Sequence, residues 1–376
     1  MLIFYDKFGK QIDSIDFIEL QWNRKLNESG NFMLYTAANK WNHDIKYIHN
    51  TGRKEIAIVQ KIVFEKKTEG NFITASGFFL EKLLDWGCNY IAKSLSATTY
   101  AGVKSKLKEY LNESFNSYDK RQLLSVSIAE DSTLPSSIDQ SLEIGTPFGS
   151  FLYAFLQDNN LSFYCEPVHG TDEANPLLGL KIHIYKGHDR RNLVYFGEGY
   201  NNISRIDYTL DETLEYPLIG VVQEVQAASG FSNVSSVNTK DGVKYFIKET
   251  TLIEGNRPSN VGAAYPLRVI AGNVADIEMV SANQAAIRRA MQQQAKLDML
   301  NHYKIETISA DVIQNKFLYL QDYDLGDVAT VVIDDIEQMF VSKIVEVSEV
   351  HRNNSEEITL TLGTPQKSKY RKIQIL

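Results

Sequence analysis

The residues best equipped for chemistry in this 376-residue chain are two neighbouring histidines, an aspartate-rich run and two acidic pairs. His183 and His188 span a strand end and a glycine turn, without the His-Glu-x-x-His spacing that aims two imidazoles at one metal, so they are not expected to converge. Asp322-Tyr323-Asp324-Leu325-Gly326-Asp327 resembles the start of a calcium loop. Its glycine falls one place early, however, and no glutamate follows at the required spacing. It reads instead as a turn into a strand, in which Asp324 and Asp327 accept from local backbone N–H groups and Gly326 takes a conformation other residues resist. Asp334-Asp335 and Glu356-Glu357 offer the two carboxylates that glycoside hydrolysis needs, but adjacent residues on a strand point to opposite faces.

Gly197-Glu198-Gly199 lacks the third glycine and following helix of a dinucleotide site, and the stretch from Gly145 to Ser150 lacks the lysine of a phosphate loop. Cys88 and Cys165 are far apart in apolar settings and read as buried thiols matured in a reducing compartment. No Gly-x-Ser-x-Gly elbow is present. The residues therefore assign no catalytic, cofactor or metal site, and the chain is read as a non-enzyme with no cofactor. Trp22 and Trp41, if exposed, would suit a carbohydrate-binding adhesin, because indole faces stack on sugar rings.

The elements that would carry these residues are mostly strands. Segments 15–20, 32–35, 45–48, 56–64 and 72–76 read as strands punctuated by Gly9, Gly30, Gly52 and Gly70, which suggests a small β-barrel or sandwich. Phe79, Leu80, Leu83, Leu84 and Trp86 then recur at helical spacing, as a short closing helix. Thr99 is placed to cap a helix that buries Val103, Leu107, Leu111 and Phe115. Thr146 is placed to cap a second, with Pro147 in its first turn and Phe148, Phe151, Leu152 and Phe155 on its buried stripe. Strands at 161–166 and 178–185 complete an α+β region. Further strands are read at 203–210, 218–227 and 245–253, with a polar, mobile loop at 229–242. A long, polar helix is read at 276–303, and a basic tail at 367–372.

One β unit occurs twice. Val59-Gln60-Lys61-Ile62-Val63 leads through Glu69-Gly70-Asn71 into Ile73-Thr74-Ala75-Ser76-Gly77. Near the other end, Val341-Ser342-Lys343-Ile344-Val345 leads through Arg352-Asn353-Asn354-Ser355 into the strand from Ile358 to Gly363. Both read as β-hairpins.

The length implies several domains. A hydrophobic content of 43% with 23% charged residues indicates a folded chain, and the 20 Tyr and 18 Phe favour strands and large packed interfaces. A net charge of −8 argues against a surface that holds nucleic acid, yet it suits a conduit through which DNA slides without sticking. The N-terminus carries no signal-peptide pattern, and no apolar run approaches the roughly 18 residues of a membrane span.

Three stretches carry a family likeness: Gly30 to Leu34, Gly52 to Val59 and Ile73 to Trp86. Together they resemble the N-terminal hub domain of tail proteins from siphophages of Gram-positive bacteria, a group that includes tail-associated lysins. Asp322 to Asp327, with the closing Leu362-Gly363-Thr364-Pro365, resembles that family's last β domain. The likeness is nearest to the short baseplate hub proteins of lactococcal siphophages.

The resemblance implies a mainly β, multidomain protein with two similar β-barrel-like domains and an α+β insertion. Its divisions would be a first hub domain at 1–98, the insertion at 99–200 and a β-rich segment at 201–275. A connecting helix at 276–303 and a second hub domain at 304–376, completed by strands from 201–227, would follow. It further implies a virion structural protein assembled in the host cytoplasm, a homotrimer at the tail tip that plugs the tail and opens for DNA passage. Its partners would be a hexameric distal tail protein, the tape-measure protein and receptor-binding proteins. Longer relatives carry wall-degrading extensions; this chain stops soon after its last β domain, so such an activity is expected elsewhere. A tail-associated cell-wall hydrolase is the alternative.

Overall fold

The computed structural model describes residues 2–116, 125–170, 177–211, 305–352 and 355–363, together with five short strands between 218 and 273. The chain forms two compact units, one of residues 1–208 and 307–376 and the other of 209–306.

In chain order the strands of the first module are β1 (Leu2–Tyr5), β2 (Gln11–Ile12), β3 (Glu19–Lys25), β4 (Asn31–Ala37), β5 (Tyr47–Asn50), β6 (Ile56–Lys67) and β7 (Gly70–Phe79). Alternation is strict in β3 and β4: along β3 the side chains of Leu20, Trp22 and Arg24 turn inward while their neighbours stay half-exposed. The buried strand is thus Glu19–Lys25, not the 15–20 segment expected, because the inward parity continues through Trp22. A short 3₁₀ helix, Leu80–Trp86, follows where the apolar period changes to three and four.

The middle region holds β8 (Lys93–Ala97), α1 (Tyr100–Leu111), β9 (Ser125–Ile128), β10 (Ile138–Leu142), α2 (Phe148–Asp158), β11 (Ser162–His169) and β12 (Leu177–Tyr185). Thr99 caps α1 as expected, its hydroxyl accepting from the Gly102 amide at 3.2 Å. At α2 the cap position is Pro147 rather than Thr146, whose hydroxyl donates to the Glu143 carbonyl. Asp85 supplies the cap instead, accepting from the Ser150 amide at 2.6 Å and so tying the short helix to α2. Val103, Leu107 and Tyr110 of α1 and Phe148, Phe151 and Leu152 of α2 bury into one core with β9, β11 and β12.

The second module comprises β13 (Tyr195–Gly197), β14 (Ile203–Asp211), β20 (Ile305–Val312), β21 (Val328–Ile333), β22 (Gln338–Arg352) and β23 (Ser355–Gly363). Between β14 and β20 lie the strands of the other unit: β15 (Leu218–Val222) pairs in parallel with β19 (Val269–Asn273). There, β16 (Ser235–Asn238), β17 (Lys244–Ile247) and β18 (Ile253–Asn256) form an antiparallel sheet, so the strand expected at 245–253 is divided between two. β16 falls inside the loop expected at 229–242, the rest of which lies outside the described residues. The expected helix at 276–303 and the basic tail also lie outside them.

The two modules are similar β units, but no closed barrel is present among the described residues; both belong to one 13-stranded sheet. Its order runs β14-β20-β23-β22-β3-β4-β7-β6-β5-β1-β2, with β21 and β13 branching from β22. The first module repeats as β3-β4-β7-β6-β5 and the second as β14-β20-β23-β22-β21. The duplication extends to register. β6 bulges between Val59 and Lys61 against β7, and β22 bulges between Ile344 and Glu346 against β23. Lys67 faces Gly70 at one hairpin end and Arg352 faces Ser355 at the other. Val59 therefore corresponds to Ile344, not to the Val341 that the sequence alignment suggests, and Ile73 corresponds to Ile358 as expected.

Candidate assembly interface

The modules join where β22 passes beyond its bulge. Residues Glu346 to Arg352 pair antiparallel with Lys25 to Glu19 of β3, so the long strand of the second module accepts a strand from the first. On the inward face of this seam lie Trp22 and Arg24 opposite Glu349 and Val347.

A buried polar knot closes the seam. Arg24, 4% exposed, donates Nε to Glu55 at 2.8 Å and Nη1 to Asp324 and the Tyr319 hydroxyl, both at 2.6 Å. Arg53 donates Nε to both Glu349 carboxylate oxygens, at 2.7 and 2.8 Å, and Nη2 to Glu356 at 3.1 Å. Its guanidinium also lies 5.2 Å from the Tyr319 ring centroid. Burial pushes the Glu349 carboxyl up, but the His351 and Arg53 hydrogen bonds outweigh it and leave the group below its usual range. The charge-assisted contacts Arg24–Asp324 and Arg53–Glu349 join residues 300 and 296 positions apart in sequence, which pins one module's orientation on the other.

Glu81 lies beside this knot, lining the same small cavity as Arg24 and Glu55. It is 4% exposed, accepts from the Cys165 amide at 3.2 Å, and its second oxygen has no hydrogen-bond partner. Burial first, and then the negative charge of Glu55, push its pKa up to about 8, so at neutral pH Glu81 carries a proton. It lines a cavity of about 10 Å³ with Glu55, Arg24, Tyr153, Phe163 and Tyr185.

The residues singled out in the sequence go separate ways. His183 bonds Glu166 at 2.7 Å, whereas His188 lies near Asp327 at 3.4 Å with its side chain largely exposed. Asp324 and Asp327 form the expected turn: Leu325 donates to Asp324 at 2.7 Å, Asp324 donates to Asp327 at 3.1 Å, and Gly326 has a φ of 92°. Asp327 also takes Arg190, and Asp324 takes Arg24, so both carboxylates answer to cations of the chain itself. Asp334 accepts from the Gly199 amide; Glu356 faces Arg53 and Glu357 faces Arg352. Glu349, His351 and Glu356 bring donor atoms within 4.8 Å of one another, but the Arg53 guanidinium already fills that place with fixed positive charge. Trp22 and Trp41 are 0% and 7% exposed, which removes the sugar-stacking role considered for them.

Sequence reading passed over Arg24, Arg53, Glu55, Glu81 and Glu349. Parity held the signal for two of them: Arg24 continues the inward series Leu20, Trp22, and Glu349 follows Val347. A charge at a buried strand position demands a buried partner.

The chain matches, over residues 4–364, the family described as Siphovirus ReqiPepy6 Gp37-like protein, and it belongs to that family. The fold is that of phage tail proteins. It is similar to a tail protein from Neisseria meningitidis MC58 at 13% identity and a TM-score of 0.54, covering 97% of this chain and 98% of that one. It is equally similar to the prophage MuSo2 43 kDa tail protein from Shewanella oneidensis, at 13% identity and a TM-score of 0.54 over 98% and 99% of the two chains. The prophage tail protein gp18 from Listeria monocytogenes EGD-e matches at 14% identity and a TM-score of 0.52, over 98% and 95%. No curated protein matches the chain. Among the described residues no helix is long and apolar enough to cross a membrane.

Proposed function

We propose that this chain is the baseplate hub at the tip of a siphophage tail, a homotrimer that joins a hexameric distal tail ring to the tip and lets DNA pass. The observation that carries the reading is the duplicated module. Two similar modules per chain and three chains per ring give six similar surfaces, which lets a threefold assembly meet a sixfold tube without a mismatch. The family and the shared tail-protein fold support the same reading. The chain's net charge of −8 favours a lumen that repels DNA phosphates rather than one that grips them. In this reading the distal tail, tape-measure and receptor-binding proteins are its neighbours in the particle. The ring acts as a plug whose closed and open states differ in contacts between subunits.

Cryo-electron microscopy of tailed particles carrying a tagged copy of the chain tests this. Density for three tags at the tail tip, below a sixfold ring, is the expected result. Tags along the tube, or a tail that assembles normally without the chain, would remove the hub role. Peptidoglycan digestion by the purified chain would favour the hydrolase alternative.

A further inference from the structure

The internal seam has an empty counterpart. Residues Lys61 to Lys67 of β6 correspond, bulge for bulge, to Glu346 to Arg352 of β22. On β22 this stretch is flanked by β23 on one side and β3 on the other. On β6 it pairs with β7 alone, since β5 reaches only Ile56 to Ile58, and among the described residues no strand occupies the far side. The consequence shows in burial. Val347 and Glu349 are fully buried under β3, whereas their counterparts Ile62 and Phe64 are 45% and 59% exposed. Two large apolar side chains on one face of an open strand edge invite another strand.

The opposite half of the contact is also present. In the second module β14 takes the place that β3 holds in the first, and β14 ends the sheet. Its half-buried Ile206 and Tyr208 pack on the second module's core, while Ser204, Arg205 and Asp207 stand exposed. β3 has found its partner strand within the chain; among the described strands β14 pairs with β20 alone.

We infer that the open edge of β6, residues 61–67, pairs antiparallel with β14 of a second copy of this chain, reproducing between subunits the β22–β3 seam within each. The inference rests on the hub reading and names the surface by which the ring closes. The contact is heterologous: each chain offers β6 to one neighbour and β14 to the other, so successive copies run head to tail until the ring closes. Ile62 and Phe64 then lie under β14, as Val347 and Glu349 lie under β3. Lys67 takes the place of Arg352, which crosses its own seam to Glu19 at 2.8 Å. The two kinds of seam differ in chemistry. Within the chain Glu349 is locked by the buried Arg53, whereas between chains its position is held by Phe64. The subunit seam is therefore held by backbone pairing and apolar contact, and the intrachain seam by buried charge as well.

The test combines light scattering with hydrogen exchange on the full-length chain. Phe64→Glu, at an exposed position, is expected to leave the melting temperature of the isolated chain unchanged while shifting the assembled form to monomer. In the assembled wild type, amides within residues 61–67 and 203–208 should gain protection together, and both gains should vanish in the variant. Phe78→Glu, exposed on neighbouring β7, is the control and should still assemble. An F64E chain that assembles like wild type, or assembly without protection at 61–67, would overturn the seam while leaving the hub reading intact. A chain that the particle experiment places away from the tip would overturn the hub reading instead.

Discussion

Glu81 shows how a single buried carboxyl sets the pH response of the junction. Its folded pKa of about 8 lies above the ordinary carboxylate value, so the folded state holds a proton that the unfolded chain releases. Stability contributed by this group is fully present below the unfolded pKa, near 4.5, and is lost as pH rises toward 8. Glu81→Gln keeps an oxygen for the Cys165 amide and removes the titration. Urea unfolding should find the variant more stable than wild type at pH 8, by on the order of 1 kcal/mol or more, with little difference near pH 4.5. Equal stability at both pH values would mean that Glu81 ionises freely in the folded protein. Arg24 acts in the opposite sense. Arg24→Met leaves Glu55 and Asp324 facing each other across the seam without their shared cation, and should cost about 3–5 kcal/mol in the same assay.

At the scale of elements, close approach and capping set the local tolerances. Gly77 sits opposite the β6 bulge, where an added Cβ would meet the Ile58 carbonyl oxygen at 1.9 Å. Gly77→Ala must therefore push β6 and β7 apart and is expected to lower the thermal midpoint by more than any exposed substitution on the same hairpin. The matching position in the second hairpin is Leu362, fully buried, so that bulge admits a side chain and the two copies are not interchangeable. Thr99→Ala removes the cap of α1 and should cost about 1 kcal/mol by denaturant unfolding.

Much of this level was legible in the sequence. The duplicated hairpins, the Thr99 cap and the Asp324–Asp327 turn follow from local patterns of two to four residues. The join between modules did not, because β22 meets β3 across more than 300 positions and no local period encodes that pairing. Where the sheet of each module continues was not legible for the same reason: among the described residues the long half of β22 accepts β3, so the two β units share one sheet and neither closes into a barrel. The hairpin alignment slipped by a turn's worth of residues because Val341 and Ile344 are chemically alike, and only the bulge distinguishes them.

For the whole molecule, the duplicated module, the buried charge at its internal join and the bare edge of β6 are the observations that support the proposed trimeric ring. The polar knot of Arg24, Arg53, Glu55 and Glu349 fixes two modules at one relative orientation, and that orientation repeated around an axis determines how many chains close the circle. The most direct test of the account is the solution mass of the purified, full-length chain by light scattering. The account predicts a species of three times the 42.7 kDa chain mass, dispersed to monomer by Phe64→Glu. A monomer at every concentration, or a stable dimer closed on itself, would contradict it.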